Sequence, residues 1–130
     1  KIFCLSAAPH DWLFPRVAAA VHHGGAGTTA AAAKAGAPSV VMPFFGDQPF
    51  WAWRLASLGT APAAVTRKTL SVDSATEALR YALTAPCQDK AAELGQRIRA
   101  EDGVDEAIAQ LQRWQLLPGM PDFQLAGSAA

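Results

Sequence analysis

The stretch Val17-Ala18-Ala19-Ala20-Val21-His22-His23-Gly24-Gly25-Ala26-Gly27-Thr28-Thr29-Ala30-Ala31-Ala32-Ala33 decides the fold class. An apolar run enters a glycine turn, and an alanine-rich run leaves it. Strand, turn and helix start therefore fall within about twenty residues. A helix that opens at such a turn aims its unpaired N–H groups and its positive end at one spot. That spot favours a phosphate or diphosphate. Gly25 and Gly27 clear side chains from the place where a ligand must come close. Thr28 and Thr29 can add hydroxyl donors beside the first-turn amides.

The same alternation extends outward. Ile2 to Leu5 reads as a first strand, followed by a turn-rich link over Ser6 to Pro15 with a short apolar turn at Trp12-Leu13-Phe14. The second strand, about Val17 to His22, is almost continuously apolar, the pattern of a strand buried on both faces. Alanine favours the helix that follows; Gly36 ends it, and Pro38 prevents its continuation. Ser39 to Met42 is the third strand. Pro49 suits a first helical position, Trp51, Leu55 and Leu58 share one helix face, and Gly59 closes that helix. Ala61 to Val65 reads as a short fourth strand. The next helix has capping-box spacing at Ser74 and Glu77, with Ser71 as an earlier start, and runs to about Leu83. Two more helices are expected, about Pro86 to Ala100 and about Val104 to Leu117. Residues 1–117 are then expected to form one domain in part. Residues 118–130 are expected to be an irregular tail, with Gly127 to Ala130 disordered. There is no internal repeat.

Alternating strands and helices mean βαβ units: an α/β fold with a partial Rossmann-like parallel sheet flanked by helices. Ligands sit at the carboxyl ends of such strands. Three loops belong there: Ser6 to Asp11, His22 to Thr28, and Pro43 to Gln48. With three or four strands, the sheet is expected to be incomplete. The opening Lys1-Ile2-Phe3-Cys4-Leu5 reads as a strand entered midway, which suggests a piece of a longer protein.

Composition sets limits. The chain has 130 residues, no net charge, 51% apolar residues and 17% charged residues. That suffices for one domain with a core. Charged residues are below the usual quarter, so part of the surface is expected to face another surface. A neutral balance without a basic cluster argues against a nucleic-acid partner. No apolar run is long enough to span a membrane, and no secretory signal is visible. Cys4 and Cys87 lack metal or redox spacing, so a reducing, cytoplasmic location is expected.

Each motif also has a plain structural reading. The glycine loop can be a tight turn packing helix on strand. Gly25-Ala26-Gly27-Thr28-Thr29-Ala30 also fits a dinucleotide fingerprint. His22 and His23, adjacent at a strand end, should point to opposite sides; they cannot readily share a metal. One is expected to be structural and the other free to bind a phosphate oxygen. Asp47 and Gln48 together suit the vicinal hydroxyls of a sugar, or Asp47 can cap the following helix. Phe44, Phe45, Phe50, Trp51 and Trp53 are expected mainly in the core, with an acceptor pocket or a membrane interface as alternatives. His10-Asp11 lacks the spacing of a catalytic pair.

Three segments taken together carry a resemblance: Ala8-Pro9-His10-Asp11-Trp12-Leu13-Phe14-Pro15-Arg16, then His22 to Thr29, then Val41-Met42-Pro43-Phe44-Phe45-Gly46-Asp47-Gln48-Pro49-Phe50. They resemble the donor-binding, C-terminal half of family 1 glycosyltransferases of the GT-B fold, and most the sterol glucosyltransferase branch, over roughly residues 2 to 105. The resemblance implies that His23 contacts the donor diphosphate. It implies that Gly25, Gly27, Thr28 and Thr29 cradle the phosphates, and that Asp47 and Gln48 hold the sugar hydroxyls. Ala8 and His10 would lie against uracil and ribose. Two departures stand out: Ala7 where plant-type relatives stack a tryptophan, and Ala31 where they grip the ribose with a glutamate. Both leave another nucleobase open.

The resemblance further implies inverting transfer of a hexose, glucose first, from a UDP-sugar to a hydroxyl of a lipophilic acceptor such as a sterol. No metal or other cofactor is implied, since the UDP-sugar is a co-substrate. The catalytic base is expected in an N-terminal domain, so none of these residues is assigned as catalytic, and the chain alone is expected to be inactive. A separate chain carrying that domain is a candidate partner, as is peripheral contact with a membrane. Two alternatives come from other classes. One is a non-catalytic nucleotide-sugar-binding or remnant module. The other is an NAD(P)-binding oxidoreductase fragment, for which Asp47 falls too late after the third strand.

Overall fold

A computed structural model describes residues 2–116. They pack as two units, one through Ala100 and a second from Glu101. In the first unit the order is α1 (His10–Leu13) with a 3-10 turn (Phe14–Arg16), β1 (Ala20–His22), α2 (Ala26–Ala35), β2 (Ser39–Val41), α3 (Gln48–Ser57), α4 (Val72–Ala82) and α5 (Ala85–Ala100). The second unit contains α6 (Gly103–Arg113), N-capped by Asp102, whose carboxylate accepts from the Asp105 N–H.

β1 and β2 pair in parallel, with Ala20 opposite Ser39, Val21 opposite Val40 and His22 opposite Val41. β2 is buried at every position, and its alternation sends successive valines to different helices. Val40 packs with Val65, Ala78 and Ala82 on the α4 side; Val41 packs with Ala52, Leu55 and Ala61 on the α3 side. A third cluster joins Phe14, Ala20 and Ala32 beneath α2. The result is an α/β arrangement dominated by helices around a two-stranded parallel sheet.

Three expectations about strands need correction. Ile2 to Leu5 forms no strand, and Ile2 is 94% exposed. A lone extended segment has no neighbour to satisfy its backbone or cover a face. The second strand is shorter than expected, and Val21 is 54% exposed, because β1 has a paired neighbour on one edge only among the described residues. Residues 60–65 run beside β2 with two backbone bonds, Ser39 N–H to Thr60 O and Val65 N–H to Val41 O. They do not form a ladder, since Pro62 between them has no N–H to donate.

The helix boundaries follow local chemistry. Gly36 ends α2 in the left-handed region (φ 75°), and its N–H returns to the helix carbonyls. α5 crosses α2 at this point by direct backbone approach: a Cβ on Gly95 would lie 2.8 Å from Gly36 Cα. The Arg99 guanidinium also donates to the Lys34 carbonyl. Ser71, not Ser74, caps α4: its hydroxyl accepts from the Ser74 N–H, and Ser74 Oγ accepts from the Ser71 N–H. α5 begins one residue earlier than expected, and α6 ends at Arg113. The expected tail lies outside the described residues. Cys4 and Cys87 are unpaired, the first exposed and the second buried.

Candidate functional site at the glycine bend

Two of the three loops close on each other at the carboxyl ends of the strands, and the third lies within electrostatic reach. Gly24, at φ 89°, is pressed against the neighbouring loop; a Cβ there would lie 2.7 Å from Val41 Cγ1 and 3.2 Å from the Gln48 carbonyl oxygen. His10, in the first loop, is close enough to His22 for its charge to act there, and so is His23.

The bend itself is built from backbone. Gly24 donates its N–H to His22 Nδ1 at 3.1 Å. Gly25 is the helix N-cap and offers no side-chain cap. The first intrahelical bond runs from Thr29 N–H to Gly25 O. The amides of Gly25, Ala26, Gly27 and Thr28 therefore have no protein acceptor among the described residues. The His23 imidazole lies over Gly25, so close that a Cβ at Gly25 would sit 2.5 Å from Nε2. At Gly27 a Cβ would meet nothing within 4 Å; packing does not demand glycine here. Thr28 is half-buried, whereas Thr29 is 3% exposed with its Oγ1 unpartnered. Thr28 is thus the hydroxyl nearer solvent.

The two histidines differ as their alternation predicts. His23 is exposed and His22 is half-buried. Burial, with the neighbouring charges of His23 and then His10, lowers the His22 pKa to about 4. His22 is therefore a neutral imidazole at ordinary pH.

The loop after β2 is built from side chains. Gln48 is 5% exposed, and its Oε1 accepts from the Phe44 N–H (2.7 Å) and the Phe45 N–H (3.2 Å). Asp47 is the N-cap of α3 by position, but its side chain does not cap. Instead Oδ2 accepts from the Trp51 indole N–H at 2.8 Å. Sequence reasoning missed both contacts. Spacing of four residues along a helix could have signalled the second; nothing local signals the first. The aromatics correct another expectation. Phe44, Phe45, Phe50 and Trp53 are exposed, and only Trp51 is half-buried. Phe44 and Phe45 lie in the loop before α3, and Phe50 and Trp53 occupy the outer side of α3, while Ala52 and Leu55 fill its inner side.

Elsewhere in the first loop, Ala8 is half-buried, and His10 is exposed and stacked on Phe14 with ring centroids 4.7 Å apart. A groove of about 380 Å³ behind the Asp47 loop is lined by Pro43, Pro49, Ala52, Trp53 and Ala56, among others. Among the described residues no group of three His, Cys, Asp or Glu is placed to hold a metal ion. No helix there is long and apolar enough to cross a membrane.

The chain is similar to known proteins over most of its length. Residues 4–112 match the family described as "Erythromycin biosynthesis protein CIII-like, C-terminal domain". A sterol 3-beta-glucosyltransferase of Arabidopsis thaliana is 42% identical over 93% of the chain and 20% of the relative. A sterol 3-beta-glucosyltransferase of Aspergillus oryzae is 48% identical over 87% of the chain and 8% of the relative. The O-mycaminosyltylonolide 6-deoxyallosyltransferase of Streptomyces fradiae is 43% identical over 83% of the chain and 26% of the relative. The matched stretch thus spans about a quarter or less of these curated relatives.

Proposed function

The chain belongs to the family of erythromycin biosynthesis protein CIII-like C-terminal domains of family 1 glycosyltransferases, and from that premise we propose that it is the donor-binding part of an inverting glycosyltransferase. The donor is a UDP-sugar, with glucose as the transferred hexose. The acceptor is a hydroxyl of a lipophilic molecule such as a sterol, the substrate named for several relatives. One observation carries this reading: four unpaired amides, from Gly25 to Thr28, open on one surface beside His23.

The chemistry follows from charge. As the acceptor oxygen attacks the anomeric carbon, the transition state takes on oxocarbenium character and the leaving diphosphate gathers negative charge. Fixed amides and the helix N-terminus stabilise that charge without reorganising. A single such donor is worth on the order of 3 kcal/mol. His23 and the Thr28 hydroxyl add donors at the same place. Thr29 supports the cradle from the buried side. Across the bend, Asp47 has one carboxylate oxygen oriented by Trp51 and the other available to a sugar hydroxyl. Gln48 has committed Oε1 to the loop, which leaves Nε2 to donate. Ala8 and His10 line the approach for the nucleoside. The exposed Phe44 and Phe45 flank the sugar end and suit an apolar acceptor.

The reaction needs no metal or further cofactor in this reading. The base for the acceptor hydroxyl comes from outside the described residues, and the chain acts with a domain that supplies it, in contact with a membrane surface where the acceptor resides. The purified 130-residue chain accordingly transfers no sugar.

Thermal shift with UDP, UDP-glucose, TDP and NADH tests the donor site, because any ligand of the native state raises its stability. UDP and UDP-glucose should stabilise the protein, and His23→Ala should abolish the UDP shift. Stabilisation by NADH but not UDP would overturn the reading.

A further inference from the structure

We propose that His22 is the positioning residue of the bend: its Nδ1 holds the Gly24 N–H and its Nε2–H is directed to the buried side shared with Thr29, so that the amides of Gly25 to Thr28 stay presented. The consequence for ligand affinity rests on the donor-site reading above; the hydrogen-bond arrangement does not.

The geometry has two independent parts. First, His22 Nδ1 accepts the Gly24 N–H at 3.1 Å, so Nδ1 carries no proton and a neutral ring carries it on Nε2. Gly24 is the residue at which the chain turns through φ 89° against Val41 and the Gln48 carbonyl. Its N–H is the bend's one amide with a side-chain partner among the described residues, and that partner lies two residues before the turn. A protonated His22 would oppose two donors, Nδ1–H and the Gly24 N–H, and the anchor would be lost.

Second, His22 Nε2 and Thr29 Oγ1 are both buried and without a partner among the described residues. Thr29 is nine-tenths buried and more. Ala20 and His22 take the same face of β1 by alternation. Ala20 shares a packed cluster with Ala32, and Thr29 lies one turn before Ala32 on α2. His22 and Thr29 therefore occupy the next layer towards the bend. Their chemistry is complementary, since Nε2–H can only donate and the hydroxyl oxygen can accept. The low pKa of His22 keeps the ring neutral, and the Gly24 N–H at Nδ1 sets the tautomer.

Nitrogen NMR of the imidazole side chains of the 130-residue protein tests the tautomer without any ligand. The expected result is a His22 ring protonated on Nε2 alone from about pH 5 to about pH 8. Hydrogen exchange at the Gly24 amide, read in His22→Asn and His22→Gln, then separates anchoring from mere packing. Asn keeps an acceptor at the Nδ1 position and should retain slow exchange. Gln reaches the Nε2 position and should not. A UDP titration should follow: near-normal affinity for His22→Asn and about tenfold weaker for His22→Gln, the size of one lost hydrogen bond. An Nδ1–H tautomer, or identical Gly24 exchange in the two variants, overturns the proposal. Failure of the wild-type protein to bind UDP would instead remove the donor reading, while the tautomer and exchange results would still decide the role of His22.

Discussion

The bend after β1 and the loop after β2 leave neighbouring strand ends, yet they are made of different material. At the bend, unpaired amides do the presenting, and one imidazole holds the turn. In the loop, side chains fold inward: Gln48 ties two amides together, and Trp51 orients Asp47. The difference suits the two tasks that the proposed function gives these loops. A diffuse negative charge is met by many fixed dipoles, whereas individual hydroxyls need directional partners. It also means that damage should take different forms. At the bend a mutation acts by adding atoms, and in the loop by removing them.

The sharpest break in this contrast is Gly24→Ala. The left-handed backbone costs about 1 kcal/mol for a residue with Cβ, and the contacts with Val41 and the Gln48 carbonyl add overpacking of about 1–3 kcal/mol. A fall of roughly 3 kcal/mol in a urea titration is expected; a loss below about 1 kcal/mol would show that the turn is soft. Gln48→Leu should cost about 2 kcal/mol in the same assay, by stranding the Phe44 and Phe45 amides. Gln48→Glu, which keeps the acceptor, should lose less; equal losses would mean that packing, not the oxygen, matters.

Acid should affect the bend. The His22 pKa is about 4 in the fold against 6.5 in the unfolded chain. Unfolded protein thus takes up the proton first, and stability is complete above about pH 6.5 and declines as pH falls towards 4. Partial solvation leaves a loss of about 2 kcal/mol. Circular-dichroism melts across that window should show it in wild type and not in His22→Asn. The gentlest test is Gly27→Ala. Its Cβ meets nothing, and helix propensity favours alanine, so stability should rise by about 0.5–1 kcal/mol. UDP affinity should fall about tenfold, because the methyl group stands where the ligand approaches. Unchanged affinity would move the diphosphate away from Gly27.

The contrast also explains what could be read from the sequence. The end of β1, the bend, α2 and the start of β2 were legible because local chemistry sets those boundaries: alanine propensity, glycine at both ends, and a proline after Gly36. The opposed fates of His22 and His23 follow from strand alternation alone. Ile2 to Leu5 misled because a strand-like pattern says nothing about whether a neighbour exists to pair with it. Residues 61–65 misled because one proline interrupts a ladder that the apolar pattern suggests. Phe50 and Trp53 misled because hydrophobicity does not fix which side of a helix the core lies on. At the site, the residue types were legible, but the inward bonds of Gln48 and the Nδ1 anchor of His22 depend on backbone geometry that no spacing rule encodes.

The crossing of α2 by α5 has a mechanical side. α2 is ten residues long, about 15 Å, with the amide cradle at one end. Its other end is clamped by glycine against glycine and by the Arg99 guanidinium. The helix thus works as a cantilever, fixed at the root and bearing its load at the tip. Bulk added at Gly95 would be felt as a tilt at the far end, so α5 sets the angle at which the amides of Gly25 to Thr28 are presented.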